Sequence, residues 1–291
     1  MLTLREGPDP CAPASGRQWG AMPDQDLSHP LPHAAAPERA GTQSLARGIR
    51  LLRLVATRPD FGWRLSDLAA ASGQDKATVH RMLACLVDER LVEQRATDRH
   101  YLPGPLLYEL GLALPAQARF HRHAEQAVQA FARRMAGVAL LVLRSGNEYV
   151  CSIRAGSLPL AGLMVYPGTR RPLFTSVGGV AILQTLSDDE ARAVLQDNLA
   201  QEIARRGPDR LAALQKMRER SARHGFGVNL GDVVPGLHAF AVPVRDAAGK
   251  AFASLCLMGP DSLYGEERLG EVEAQLREAA AALHAWVAPG A

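Results

Sequence analysis

The sequence predicts an α+β protein in two folded parts: a winged helix-turn-helix, then a mixed domain built on an antiparallel sheet. Three observations predict it. Between Arg64 and Leu102, two short helix-forming segments joined by a glycine-bearing turn are followed by a pair of β segments. Beyond Pro115, amphipathic helical stretches alternate irregularly with apolar strands that come in hairpin-like pairs, an order that suits a separate antiparallel sheet. A chain of 291 residues that is 47% apolar and 22% charged can bury a core in each part, which excludes a wholly disordered or fibrous protein.

Seven of the nineteen prolines fall in the first 43 residues without a period of 2 or 3.6, so residues 1–42 read as a disordered leader. The leader opens with Arg5, Glu6 and Asp9 instead of a basic start and an apolar run, and no stretch approaches the ~18 apolar residues of a membrane span. A soluble, cytoplasmic protein is expected. From Gln43, the spacing of Leu45, Ile49, Leu52 and Val55 predicts a helix ending before Pro59, with those four residues turned to the core. Ser66 is the candidate N-cap of the next short helix and Gly73 its left-handed end. Asp75 is placed to cap a helix over Lys76–Glu89, whose Val79, Met82, Leu83, Leu86 and Val87 share one face. Leu91–Arg95 and His100–Leu102 read as strands around the polar turn Ala96–Arg99, completing a winged helix-turn-helix over residues 43–103. Residues 104–120 are apolar and helix-compatible but interrupted by Pro115, as in a helical linker.

The second domain, residues 121–291, opens with a helix over His121–Met135 and a hairpin of Val138–Leu143 and Tyr149–Arg154. Helices are expected over Ser176–Leu186, over Asp188–Gln196 behind the capping box Ser187-x-x-Glu190, and over Asp209–His224 before Gly225. Strands at His238–Val244 and Lys250–Met258 and a closing helix Glu266–Val287 complete it. No internal repeat is present.

The net charge of +3 says little about partners. Its distribution says more: residues 44–103 carry ten Lys or Arg against seven Asp or Glu, whereas residues 1–43 carry three against five. The helix from Lys76 presents Lys76, Thr78, His80 and Arg81 outward, with Gln74 at its start. These are the donor types a major-groove helix needs near its N-terminal end. Arg95 and Arg99 on the wing are placed for a minor groove or flanking phosphate, and Arg47 on the first helix for the backbone. A polar helix face is equally what solvent selects; the order short helix, glycine turn, helix, hairpin decides for double-stranded DNA.

Enzyme motifs point the other way. No HExxH, GxxxxGK, GxGxxG or GxSxG occurs, and His121 and His123 are spaced to opposite sides of a helix, so neither metal nor cofactor is expected. The four cysteines lie 74, 66 and 105 residues apart, which fits neither a metal knuckle nor a disulfide framework. Cys151 and Cys256, both on strands, are read as small core residues, with a nucleophile the alternative. His238, at a strand start, is either a base or an ordinary surface residue. Two glycine-bearing stretches, Pro172–Ala181 and Gly225–Gly236, together resemble the mouth of a pocket; the first can hold an anion at a helix start or serve close packing.

The motifs Thr42-Gln-Ser-Leu-Ala-Arg-Gly-Ile49, Leu65-Ser-Asp-Leu-Ala, Ala77-Thr-Val-His-Arg-Met-Leu83, Tyr101-Leu-Pro-Gly104 and Tyr108-Glu-Leu-Gly111 resemble the IclR-type transcriptional regulators. In the second domain Pro167–Leu173, residues 172–181, Gly225–Val244 and Leu255–Pro260 resemble that family's effector-binding domain. The resemblance covers about residues 42–287. It implies a GAF-like effector domain, a homodimer or homotetramer on a palindromic operator, and a response, as repressor or activator, to a small organic acid or aromatic metabolite. Carried over by motif, the effector site would comprise Ser176, Val177, Gly178, Asn229, Ala239, Cys256 and Met258, with Leu160 and Leu163 as an apolar lid. The chain departs from the family pattern where Gly179-Val180 replaces Gly-Lys, where Asp232 replaces a glutamate, and where Cys256 and Met258 replace small hydroxyl residues. With those polar groups gone, a bulkier, apolar or aromatic effector is expected. A regulator that has lost its effector response, or an enzyme using Cys151 or Cys256, would be the alternatives.

Overall fold

The computed structural model describes residues 42–156, 158 and 165–284. Of the described residues, Thr42–Arg119 together with Gly168–Arg170 form one compact unit, and those from Phe120 to Pro167 and from Arg171 to His284 the other.

The first unit is three helices and a two-stranded wing: α1 (Gln43–Val55), α2 (Leu65–Ser72), α3 (Lys76–Asp88), β1 (Val92–Gln94) and β2 (Tyr101–Pro103), the strands pairing antiparallel. Helix α2 ends where Gly73 turns left-handed at φ 65°, and α3 starts where the Asp75 carboxylate accepts the Thr78 N–H at 2.8 Å. Ser66 is not the cap expected of it: α2 begins at Leu65, and the Ser66 hydroxyl donates to Asp67. The core gathers Leu51, Val55, Trp63, Leu68, Val79, Leu83, Val92 and Tyr101. The face expected of α1 is corrected accordingly. Leu51 and Val55 are buried, Leu52 packs at the edge of the core, and Leu45 and Ile49 stand 65% and 46% exposed. Two further helices follow, α4 (Leu106–Gly111) and α5 (Pro115–Met135). Pro115 is the first residue of α5, where its missing N–H costs nothing, so the proline that interrupts the linker also starts the next helix.

The second unit is a six-stranded sheet with helices on both faces. Its elements are β3 (Val138–Ser145), β4 (Glu148–Ala155), β5 (Arg170–Pro172), α6 (Val177–Leu183), α7 (Asp188–Arg206), α8 (Leu211–His224), β6 (Gly227–Leu230), β7 (Leu237–Arg245), β8 (Ala251–Pro260) and α9 (Leu269–His284). The strand order is β5-β4-β3-β8-β7-β6, and β3, β4, β6, β7 and β8 pair antiparallel. Strands β5 and β6 fall in segments read from the sequence as loop, α6 is shorter than expected, and α7 runs well past Gln196. One face of the sheet packs residues of α5 and α9 against Leu141, Ile153, Phe240 and Leu255. The opposite face carries Leu140, Val142, Tyr149, Cys151, Ala239, Ala241, Cys256 and Met258 beneath α6, α7 and α8.

Candidate functional site

Two sites emerge, one in each unit. In the first, α3 is anchored by Val79 and Leu83, which are fully buried, so Lys76, His80 and Arg81 are left exposed along its outer side with Thr78 half-buried beside them. The Arg81 guanidinium donates to the Thr78 hydroxyl at 3.2 Å, which fixes its direction along the first turns of the helix. Gln74 lies half-buried in the α2–α3 turn and Arg47 is exposed on α1. On the wing the two arginines differ. Arg99 is exposed at the hairpin tip with a left-handed backbone, φ 60°. Arg95 turns inward, its guanidinium bonded to Asp98 at 3.0 and 2.8 Å and to the carbonyls of Asp60 and Phe61 at 3.3 and 2.9 Å.

In the second unit, α6 lies against β8 at a glycine. A Cβ on Gly178 would stand 2.6 Å from the Cys256 sulfur, and one on Gly179 would overlap the Leu173 carbonyl, so both glycines serve close packing. The Ser176 hydroxyl caps α6 by accepting the Gly179 N–H at 3.2 Å, and the Ser254 hydroxyl donates to the Gly178 carbonyl at 2.9 Å. With seven residues in α6 and its cap supplied internally, the helix start has no standing as an anion site.

Four of the other effector residues expected from the sequence fall on the same face. Val177, Ala239, Cys256 and Met258 belong to one buried cluster, together with Leu140, Tyr149, Cys151, Val165 and Leu237. Leu160 and Leu163 lie outside the described residues. Asn229 is buried, but its amide ties its own loop: its carbonyl accepts the Val233 N–H at 3.3 Å, and its amino group reaches the Leu237 carbonyl at 3.5 Å. Asp232 points away to α8, where Arg220 holds it at 3.1 Å and Lys216 at 3.2 Å. Burial works against ionisation of Asp232, yet these two cations more than offset it and hold the carboxyl below its ordinary value. His238 is also structural, its Nδ1 lying 2.6 Å from the Tyr264 carbonyl.

Tyr149, which the motifs did not single out, lies in the same buried cluster. Its side chain is buried; burial raises its pKa, against the opposing influence of nearby Arg171. Its strand position carried the signal, but β4 does not alternate simply. A bulge at Ser152, where Leu141 pairs with Ile153 and the next residue, Val142, with Cys151, turns Tyr149 and Cys151 to one face and Ile153 and Ala155 to the other. Burial pushes the thiols of both Cys151 and Cys256 up to about 12, which makes them apolar packing groups instead of nucleophiles.

The chain matches two family models, one described as the IclR helix-turn-helix domain over residues 44–96 and one as the bacterial transcriptional regulator IclR C-terminal domain over residues 118–285. The HTH-type transcriptional regulator BhcR of Paracoccus denitrificans (strain Pd 1222) is 23% identical over 254 residues, 87% of this chain and 90% of that protein. The HTH-type transcriptional repressor AllR of Escherichia coli (strain K12) is 25% identical over 232 residues, 78% and 84% of the two chains. Among solved structures, an IclR family transcriptional regulator from Brucella abortus superposes with a TM-score of 0.67 at 20% identity, covering 87% of this chain and 97% of that one. An IclR homolog from Microbacterium hydrocarbonoxydans, complexed with 4-hydroxybenzoate, gives 0.62 at 21%, covering 84% and 98%. With a winged helix-turn-helix ahead of a ligand-binding domain, and with both family models spanning nearly all of its described residues, the chain belongs to the IclR family of transcriptional regulators, which are not enzymes.

Proposed function

We propose that this regulator works in the cytoplasm as a homo-oligomer on a palindromic operator and senses a small, largely apolar or aromatic metabolite. The observation that carries the effector reading is how the polar groups on the α6 face of the sheet are already engaged. Ser254 is bonded to α6, Asn229 to its own loop and Asp232 to α8, and the two thiols are protonated. The buried Tyr149 belongs to the same cluster as Leu140, Val165, Leu237, Cys256 and Met258, so its phenol is a polar group set in an apolar wall. Such a wall favours a ring or branched chain with one polar end. A compact carboxylate, polar all round, would lose several kcal/mol of hydration there, roughly, without replacement bonds. That one structural neighbour holds 4-hydroxybenzoate, a ring with polar ends, supports the same class.

For the DNA end, the proposed contacts are Lys76, Thr78, His80 and Arg81 from α3, Gln74 from the turn before it, and Arg47 and Arg99 toward the backbone. Leu45 and Ile49 on α1, and Tyr108, Leu110, Leu112 and Leu114 on and after α4, are large exposed apolar side chains that a second copy would cover. Thermal melts of the full chain against aromatic acids, phenols and short keto acids test the effector class. A ligand at 100 times its dissociation constant adds about 2.7 kcal/mol of stability. Stabilisation by an aromatic compound and none by glyoxylate or pyruvate is expected; the reverse pattern refutes it, and a flat response to every class marks a regulator that acts without an effector.

A further inference from the structure

We propose that Arg95 is a positioning residue, acting on DNA only through Arg99 by locking the wing that presents it. The inference rests on the reading that α3 and the wing engage DNA. A guanidinium carries five N–H donors in a rigid fork. In Arg95, Nε donates to one Asp98 oxygen at 3.0 Å, Nη2 to the other at 2.8 Å and to the Phe61 carbonyl at 2.9 Å, and Nη1 to the Asp60 carbonyl at 3.3 Å. Four of the five donors are committed. A bidentate contact to a base or phosphate needs two adjacent ones, and a single N–H remains.

Those bonds do specific work. Asp98 also accepts the His100 N–H at 3.1 Å, so the carboxylate binds both arms of the hairpin tip. The tip closes through Arg95 N–H to the His100 carbonyl at 2.8 Å and Arg99 N–H to the Arg95 carbonyl at 2.9 Å, while the Gln94 amide donates to the Arg99 carbonyl at 3.0 Å. Arg99 is thereby held at φ 60°, a conformation that L residues other than glycine seldom adopt, with its side chain exposed. The segment that receives Arg95 is itself fixed. Gly62, at φ 72°, has no room for a Cβ, which would meet the His100 Cβ at 2.9 Å, and Trp63 exchanges backbone hydrogen bonds with Tyr101 at 3.0 and 2.8 Å. The wing is thus a three-point assembly of hairpin, Arg95–Asp98 pair and the 60–63 segment, with Arg99 as its projecting cation.

The test uses sign as well as size. Asp98→Asn deletes a negative charge from a DNA-facing wing, so electrostatics alone predicts tighter binding, whereas loss of the lock predicts weaker binding. Full-length wild type, Asp98→Asn, Arg95→Lys, Arg99→Ala and the double variants Arg95→Lys/Arg99→Ala and Asp98→Asn/Arg99→Ala are titrated over a range of salt against the duplex that the wild type recovers from random-sequence DNA. Melting curves confirm that each is folded. Asp98→Asn and Arg95→Lys are both expected to bind about fivefold more weakly, the equivalent of one lost charge-assisted interaction, with the salt slope reduced by about one, as for Arg99→Ala. In the Arg99→Ala background neither is expected to weaken binding further. Tighter or unchanged binding by Asp98→Asn, or a full additional loss from Arg95→Lys without Arg99, overturns the proposal. Recovery of no duplex by folded wild type overturns the DNA reading along with it.

Discussion

Replacing Gly178 by alanine tests whether α6 is seated directly on the effector-side sheet. The new methyl would lie 2.6 Å from the Cys256 sulfur, 2.9 Å from the Ser254 hydroxyl and 3.1 Å from a Val142 methyl. Comfortable non-bonded contact is about 3.5–4.0 Å, so α6 must lift by about 1 Å or the strand must yield. Overpacking of this kind costs about 1–3 kcal/mol. Lifting the helix also stretches the 2.9 Å bond from Ser254 to the Gly178 carbonyl, worth roughly 1 kcal/mol, and the helix propensity of alanine returns up to about 1 kcal/mol. A net destabilisation of about 1–4 kcal/mol follows. Cys256→Ala alone removes a buried sulfur for about 1–2 kcal/mol. Combined, the two should fall short of their sum by about 1–2 kcal/mol, because the second substitution removes the closest atom the first one meets. Urea unfolding of the four proteins reads the cycle. A neutral Gly178→Ala, or strict additivity, would refute the packing argument.

Four further outcomes are expected. Asp75→Ala removes the cap of α3 and should lower the melting temperature; because hydrogen bonds from Thr78 lower the Asp75 pKa, the cap is fully present above the ordinary carboxylate range and lost only as pH falls through the lower folded value, an acid limb the variant should lack. Asp232→Asn leaves Arg220 without its carboxylate and should destabilise by about 1–3 kcal/mol in urea; no change would show that the α8 contact contributes nothing. The thiols of Cys151 and Cys256 ionise near 9 when unfolded and near about 12 in the fold, so stability should decline above pH 9 by about 1.4 kcal/mol per pH unit for each thiol, and Cys151→Ala or Cys256→Ala should each flatten that decline. Arg81→Ala should relax operator selection at one base pair per half-site by about 1–3 kcal/mol, read by competition among single-position variants of the selected duplex; uniform weakening at every position would make Arg81 a phosphate contact instead.

What could be read from the chain alone follows the range of the interactions involved. Asp75, Gly73 and the Arg95–Arg99 turn act within four residues, and the helix-turn-helix with its wing was legible from them. The face of α1 was not. Leu45, Ile49, Leu51, Leu52, Leu54 and Val55 surround more than one side of that helix, and periodicity names an apolar stripe without saying which part a neighbour in the same chain covers. Helix α7 was underestimated because its second half buries polar residues. Asn198 is fully buried, accepting the Phe174 N–H at 3.1 Å and donating to the Asn147 carbonyl at 2.9 Å, and Glu202 is buried against Arg210 at 2.9 Å. Strand β6 hid behind its glycine, present because a Cβ at Gly227 would stand 2.5 Å from the Val177 carbonyl.

The face of the sheet beneath α6 shows the same limit. Along β8 the two-residue period holds: Ser254, Cys256 and Met258 face α6 while Ala253, Leu255 and Leu257 face the α9 side. Along β4 the bulge at Ser152 breaks the period, so Cys151 and Ile153, two residues apart, look to opposite sides. Which residues line the face is therefore decided by a pairing irregularity that only the neighbouring strand reveals. Which polar atoms remain for a ligand is decided by contacts longer still in sequence, Ser254 to Gly178 across 76 residues among them. The residue types along this face, with Cys256 and Met258 where hydroxyl residues would be polar, already point to an apolar surface, and the partners of Ser254, Asn229 and Asp232 take up polar groups that remain nearby.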